Sequence, residues 1–341
     1  MRALIFSAIN EVEMQDRLCP EPGSGEVLIK VALTGVCGSD LHGFLGHSPR
    51  RQPGLVLGHE TVGTITKVGE GVDVGFEGTR VAVNPLISCD LCTACRQGRH
   101  NCCLTWRLLG MDQTAGAMAE YVVIPARNAH RIPDSVSDAS AVMVEPLANA
   151  ARLMRHAQVA SGVRPTCAVL GYGTLGACIA AAAKVSGIQV LAITERNTAR
   201  ANVARDAGFG NVIDPTTTDA YALVQDLTAG EGMDIVFDAV GSTESRNLAA
   251  KCVRRGGAAL LLGMLDPSSS FDFSDLIRRE VRLQCSFAYA EEDFRVALGW
   301  VERGEVNFEP WTSEYALSDG QIAFDRLVKD PGDRLKIALR P

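Results

Sequence analysis

"VLGYGTLG", residues 169–176, sets Gly171, Gly173 and Gly176 in a G-x-G-x-x-G pattern. The residues before it, "PTCAVL", are apolar and strand-like, and those that follow, "GACIAAAAKV", are alanine-rich with a helical pattern. In that context the triplet reads as a phosphate-binding turn between strand and helix. The first glycine permits the tight turn, the second lets backbone approach a pyrophosphate, and the third lets helix pack on strand, with the phosphate held at the helix N-terminus. Thr174 and Leu175 occupy variable positions of the motif and are counted with it as cofactor-binding residues. Glu195 closes the next strand-like run, "QVLAITE", about 20 residues on, where an acid hydrogen-bonds the adenosine ribose. Its charge should repel a 2'-phosphate, which favours NAD over NADP. Arg196 and Arg200 pull the other way, since an arginine there can stack on adenine or pair with a 2'-phosphate; the plain reading is two solvated helix residues.

Outward from this turn the chain alternates between strand and helix patterns. "PTCAVLG", "QVLAITE", "GNVID", "MDIVFDAVG", "GAALLLG" and "VRLQCSFAY" are apolar runs, and several are separated by segments such as "NTARANVARDAG". Six such runs with helical crossovers predict an α/β, doubly wound parallel sheet of the Rossmann type over residues 149–286. Residues 1–148 instead hold short β-type runs divided by Gly and Pro, among them "GEVLIKVAL", "GTITKVG", "GTRVAVNP" and "AEYVVIP", and read as a β-rich domain. "MVEPLANAARLMRHA" is a helix at the junction. Residues 287–341, with "EDFRVALGWVERG" helical and "RLKIALRP" strand-like, lose the alternation and are expected to return to the first domain.

The 341 residues exceed the usual size of one domain, and 47% hydrophobic residues supply ample core. A net charge of -7 disfavours nucleic-acid or membrane-surface binding and leaves a small, roughly neutral ligand as the expected partner. "MRALIFSAIN" lacks a secretory h-region and cleavage site, and no apolar stretch is long enough for a membrane span, so a cytoplasmic location is expected. In a reducing compartment, 11 cysteines argue for metal ligation, buried thiols or catalysis before disulfides.

Cys89, Cys92, Cys95 and Cys103 in "CDLCTACRQGRHNCC" have the spacing C-x2-C-x2-C-x7-C, which brings four thiolates round one tetrahedral ion. A closed shell of thiolates leaves no open position, so this ion should be structural zinc, pinning a lobe at about residues 86–106. Cys102 and His100 are the alternatives to the fourth ligand. Nothing nearby clusters Lys and Arg as a nucleic-acid-binding ribbon would. Elsewhere, "GVCGSDLHG" carries Cys37, Ser39, Asp40 and His42, and "LGHETVG" carries His59 and Glu60. Cys37 and His59 are ligand types suited to zinc. Glu145 lies in "MVEPLA", where the β-rich half meets the dinucleotide-binding half.

With "GVCGSDLH", "GHE", the cysteine quartet, "EPLA" and "GYGTLG" in this order, the chain resembles the zinc-dependent medium-chain dehydrogenase/reductase family over essentially its whole length. The resemblance implies a GroES-like β-rich catalytic domain beside the Rossmann domain, and two zinc ions per subunit. It implies that Cys37 and His59 hold a catalytic zinc, with Glu60 and Glu145 as candidates for a third ligand, Glu60 being a position that can exchange with water. Ser39 and His42 match the family's proton-relay positions, the plain reading being loop hydrogen bonds, and Asp40 would orient His59. A homodimer or homotetramer, joined near residues 282–288, is implied as well.

The implied reaction is hydride transfer to NAD from an alcohol acidified by the metal. Glutamate at 145 resembles the polyol, butanediol and threonine dehydrogenase branch, and a vicinal diol could offer the metal one oxygen and a glutamate the other. Ala288, before Tyr289, departs from the arginine found in many polyol dehydrogenases and puts sorbitol itself in doubt. Arg50 and Arg51 in "GHSPRRQPG" leave a sugar acid or sugar phosphate open, against the plain reading of exposed loop arginines. Trp106, Leu109 and Met111 fall where family members line the pocket. A non-catalytic dinucleotide sensor would lack zinc ligands, and a zinc-free quinone reductase would lack both cysteine-containing sets; this sequence has them.

Overall fold

The computed structural model describes residues 1–157 and 164–341. It comprises two compact units: Met1–Glu145 with Ala290–Pro341, and Pro146–Tyr289.

In the first unit, the strand Glu26–Gly35 is the centre of a seven-stranded sheet. Val27, Ile29 and Val31 alternate along it and all point into one core with Ile65, Val81, Val83, Val122 and Ile124. This period of two is what a strand with one face on a core requires. Burial of each such side chain contributes roughly 1.5–3 kcal/mol. Glu60–Val68 pairs antiparallel with it, and the register sets Gly35 opposite Glu60. On its other edge runs Lys336–Arg340 from the C-terminus, with Ala338 opposite Gly35. The last strand of the chain is thereby brought beside residues 35–37 and 60. A three-stranded sheet of Glu11–Asp16, Arg2–Ala8 and Leu55–Val56 packs its apolar side chains with Phe44, Phe324 and Ile337 in a second core.

The second unit is a six-stranded sheet in the order Val212–Ile213, Gln189–Thr194, Thr166–Leu170, Met233–Asp238, Val253–Leu261, Arg282–Cys285. Every pairing is parallel. The first strand of this sheet in chain order, Thr166–Leu170, is central, so the strand order reverses there and a crevice opens at its carboxyl end, where Gly171 stands. Helices start at side-chain caps: Asn197, Asp219, Ser242 and Asp272 each accept a backbone N–H from the first turn. All six expected strands are present, with altered ends. "GNVID" shrinks to two residues because it is an edge strand paired on one side only. The fifth strand begins earlier than its apolar run, at Val253, and the ladder absorbs Gly256 and Gly257 as a register shift.

Candidate metal centres and nucleotide site

The local backbone explains how Cys37, His59 and Glu60 meet. Cys37 ends the extended stretch after Glu26–Gly35 and is the N-cap of the helix Gly38–Phe44. Asp40, three residues on, turns back so that its Oδ2 accepts the Cys37 N–H at 3.1 Å. His59 follows Gly58, whose φ of 94° suits glycine and whose missing Cβ leaves room for Met118. Glu60 lies across the ladder from Gly35, and a Cβ there would stand 2.1 Å from Glu60 Oε2. The outcome is a group in which one ligand atom each of Cys37, His59 and Glu60 all lie within 4.8 Å of one another, with His59 and Glu60 buried.

Asp40 sits behind this group, fully buried, with Oδ1 3.5 Å from His59 Nδ1 and 3.5 Å from Arg51 Nε. Burial alone would raise its pKa, but His59, Arg51 and the Cys37 N–H outweigh it and hold the carboxyl at about 2. Burial in turn works against a charged His59, whereas Asp40 and the Cys37 sulfur make the imidazole more basic than usual. An imidazole, a cysteine sulfur and a carboxyl group together are a donor set that fits zinc.

Two residues here were not singled out by sequence reasoning for what they do. Lys336 is 2% exposed, and its Nζ donates to Glu60 Oε1 at 2.8 Å, to Glu60 Oε2 at 2.6 Å and to the Val36 carbonyl at 3.3 Å. Only the pairing of chain ends reveals it. Arg51 was read as an exposed loop residue or an anion contact, and the structure corrects both readings. It is 4% exposed and donates from Nη2 to Ser39 Oγ at 2.9 Å. Its aliphatic stem covers Gly43, where a Cβ would come within 2.4 Å of Arg51 Cδ. Arg50 is likewise committed, bidentate to Asp112 and stacked 4.2 Å above Trp106. His42 is on the surface of the same helix, and partial burial with the charges of His47 and Arg51 lowers its pKa below the ordinary imidazole value. Glu145 is buried in the first turn of the helix Val144–His156 and stands outside the three-residue group. Leu109 belongs to the core around Ile29.

The cysteine quartet closes as a second group: the sulfurs of Cys89, Cys92, Cys95 and Cys103 lie within 4.8 Å of one another. Backbone N–H groups point at them, from Cys92 to Cys89 Sγ at 3.4 Å and from Cys89 to Cys103 Sγ at 3.3 Å. Such donors favour thiolate, and backbone N–H groups of Leu91 and Cys92 bring the Cys89 thiol down to about 6. Four converging sulfurs with amide donors fit zinc. Cys102 is exposed and lies outside the quartet, and His100, half-buried, lies outside it too.

In the second unit the glycines do what their positions require. Gly171 has φ 87°, Gly173 is the N-cap of the helix Thr174–Val185, and a Cβ on Gly176 would stand 1.9 Å from the Gly171 carbonyl oxygen. A cavity of about 1660 Å³ opens there, lined by Gly171, Gly173, Glu195, Arg196 and Arg200 among others. Thr174 and Leu175 are the first residues of the helix and are not among its lining. Both Glu195 oxygens accept backbone N–H groups, Oε2 from Tyr172 at 2.8 Å and Oε1 from Asn197 at 2.7 Å.

A parallel sheet with a glycine turn at its switch point and a β-rich unit carrying two metal-type clusters define a zinc- and dinucleotide-binding oxidoreductase fold. The profile "Alcohol dehydrogenase GroES-like domain" matches residues 23–134, and "Zinc-binding dehydrogenase" matches residues 174–303. The sorbitol dehydrogenase of Bacillus subtilis (strain 168) is 30% identical over 351 residues, covering 100% of this chain and 97% of that protein. L-threonine 3-dehydrogenase of Pyrococcus furiosus is 34% identical over 261 residues, covering 76% of this chain and 74% of that one. A crystal structure of a short chain alcohol dehydrogenase (rspB) from E. coli CFT073, complexed with NADH, superposes with a TM-score of 0.91 at 30% identity, covering 100% of this chain and 99% of the other. The chain belongs to the zinc-dependent alcohol dehydrogenase superfamily of medium-chain dehydrogenases/reductases.

Proposed function

We propose that the protein oxidises a secondary alcohol, a polyol or vicinal diol, with NAD as hydride acceptor. The observation that carries this reading is the convergence of Cys37, His59 and Glu60 beside a serine held by Arg51. When bound, zinc would supply the Lewis acidity that makes an alcohol hydroxyl acidic, and NAD would take the hydride from its carbon. Cys37, His59 and Glu60 would hold that ion, Glu145 stays the candidate for a further ligand, and Asp40 would orient His59. The Ser39 hydroxyl, whose oxygen accepts from Arg51, keeps its own hydrogen available for donation. Burial and the charges of His47 and Arg51 lower the His42 pKa, which favours the neutral imidazole that could take a proton to solvent. The quartet would hold a second, structural zinc.

For the cofactor, Glu195 presents a negative charge beside the glycine turn, which supports NAD. Arg196 and Arg200 line the same cavity and are the residues through which NADP could bind. The anionic-sugar alternative draws less support from these two arginines, because Arg51 is paired inside the protein and Arg50 is bound to Asp112. An amino alcohol such as threonine stays as a second reading on the strength of the relative at 34% identity.

The test is NAD reduction by the metal-analysed protein against polyols, small diols, L-threonine, sugar acids and simple alkanols. Activity led by polyols or diols is the expected result. Activity confined to threonine would favour the second reading, and silence across the panel with both metal sites filled would overturn the dehydrogenase reading.

A further inference from the structure

We propose that Asp238 is a positioning residue for the nicotinamide half of the cofactor, acting through the turn at residues 239–241, which it holds against the glycine motif; this rests on the dinucleotide reading above. Asp238 ends the strand Met233–Asp238, beside the central strand Thr166–Leu170, and is fully buried.

One acid organises two loops. Its Oδ1 accepts the backbone N–H groups of Val240 and Gly241, each at 3.0 Å, and its main-chain carbonyl accepts those of Leu262 and Gly263, also at 3.0 Å. The two loops cross in contact. A Cβ on Gly241, whose φ is 81°, would stand 2.0 Å from the carbonyl carbon of Gly263, and one on Gly263 would stand 2.2 Å from that of Val240. The turn is also pressed onto the nucleotide motif: the Ala239 N–H donates to the Leu170 carbonyl at 3.0 Å, and Val240 Cγ2 lies 2.7 Å from where a Gly171 Cβ would be. Ala239, Val240 and Ser242 line the same cavity as Gly171 and Glu195. A doubly wound sheet has two mononucleotide-binding halves that meet at the switch point. Glu195 follows the strand on one side of the centre and marks the adenosine half, so the turn after Asp238, on the other side, belongs to the nicotinamide half.

Stability alone does not account for the residue. Its Oδ2 is enclosed and accepts no hydrogen bond among the described residues, and a buried polar atom left unpaired costs stability. Burial pushes the carboxyl above the ordinary carboxylate range, against the pull of the Gly241 and Val240 amides, Ser245 and Arg246, so the neutral side chain of asparagine is a close mimic.

The experiment compares NADH with ADP-ribose, which lacks the nicotinamide, in calorimetric titrations of the purified full-length protein at neutral pH. Asp238→Ala is expected to weaken NADH binding about tenfold, the scale of one or two lost backbone hydrogen bonds, and to leave ADP-ribose within about threefold. Asp238→Asn, which keeps Oδ1, is expected to hold both ligands within about threefold of wild type. Equal weakening of both ligands, or unchanged NADH binding in folded Asp238→Ala, would overturn the proposal while leaving dinucleotide binding standing. Where Asp238→Ala does not fold, hydrogen exchange of the wild-type protein decides. The amides of Val240 and Gly241 are expected to exchange slowly before any cofactor is added, and exchange at the rate of a free peptide would overturn the proposal. A wild-type protein that binds neither NADH nor ADP-ribose would overturn the dinucleotide reading with it.

Discussion

At the scale of single residues, the side chains at the metal centre divide by what they touch. Cys37→Ser and His59→Ala remove donors and are expected to bring turnover to background while NADH binding, read by nucleotide fluorescence, stays intact; retained turnover would contradict the site. Asp40 acts through His59, so Asp40→Asn should cost about 10–100-fold in activity or zinc retention, and wild-type values for both would remove it from the centre. For Glu195→Ala the expected outcome is about a tenfold rise in the NADP-to-NAD ratio of kcat/KM, equivalent to about 1.4 kcal/mol; no rise would take Glu195 out of cofactor selection. Cys37, His59 and the glycine triplet could be named from sequence because their chemistry needs those residue types in short, ordered motifs. Lys336 and Arg51 could not. An arginine in a loop or a lysine in a terminal strand is usually solvated, and only the fold shows that these two are buried.

At the scale of elements, the helix Glu291–Glu302 joins the β-rich unit through the carboxylate of Glu291 as well as through Phe294, whose ring packs on His130. Glu291 accepts from Asn84 Nδ2 at 3.0 Å and Arg295 Nε at 3.0 Å, and faces His130 Nε2 at 3.4 Å. Burial raises its pKa, but His130, Arg295 and Asn84 together lower it to about 2. A carboxyl with a depressed pKa stabilises the fold above its unfolded value, and that stability is lost as pH falls towards the folded value. Glu291→Gln should therefore cost about 2 kcal/mol at pH 7, allowing for solvent screening, and much less at pH 2 to 3. Equal loss of melting temperature at both pH values would show that the carboxylate charge is not responsible. The zinc lobe has its own test: Cys92→Ser should release one zinc per chain and lower the melting temperature by several degrees, and full stability with full zinc content would contradict a structural ion. Strand existence was legible from apolar runs in the dinucleotide-binding unit, because strands covered on both faces are nearly continuous in hydrophobicity. Strand ends were not, since an edge strand and a bulge depend on which neighbours pair.

For the whole molecule, no helix among the described residues is long and apolar enough to cross a membrane. The strand Arg282–Cys285 is the outer member of its sheet, and Phe287 beyond it is 42% exposed. An open edge of this kind suits pairing with a second copy. Light scattering is expected to return the mass of two or four chains, and a monomer at micromolar concentration would contradict edge pairing.

The sequence by itself determined the nucleotide turn, the cysteine quartet and the family, because each rests on residue types at close spacing that local backbone geometry turns directly into a site. The tertiary structure alone decided what lies behind those motifs. Strand pairing between residues 35 and 338, more than 300 positions apart, brings Lys336 onto Glu60, and the loop carrying Arg51 folds back over Gly43 onto Ser39 and Asp40. Contacts of that kind depend on which elements become neighbours, and nothing in the local chemistry of a lysine or an arginine announces the neighbour it will meet.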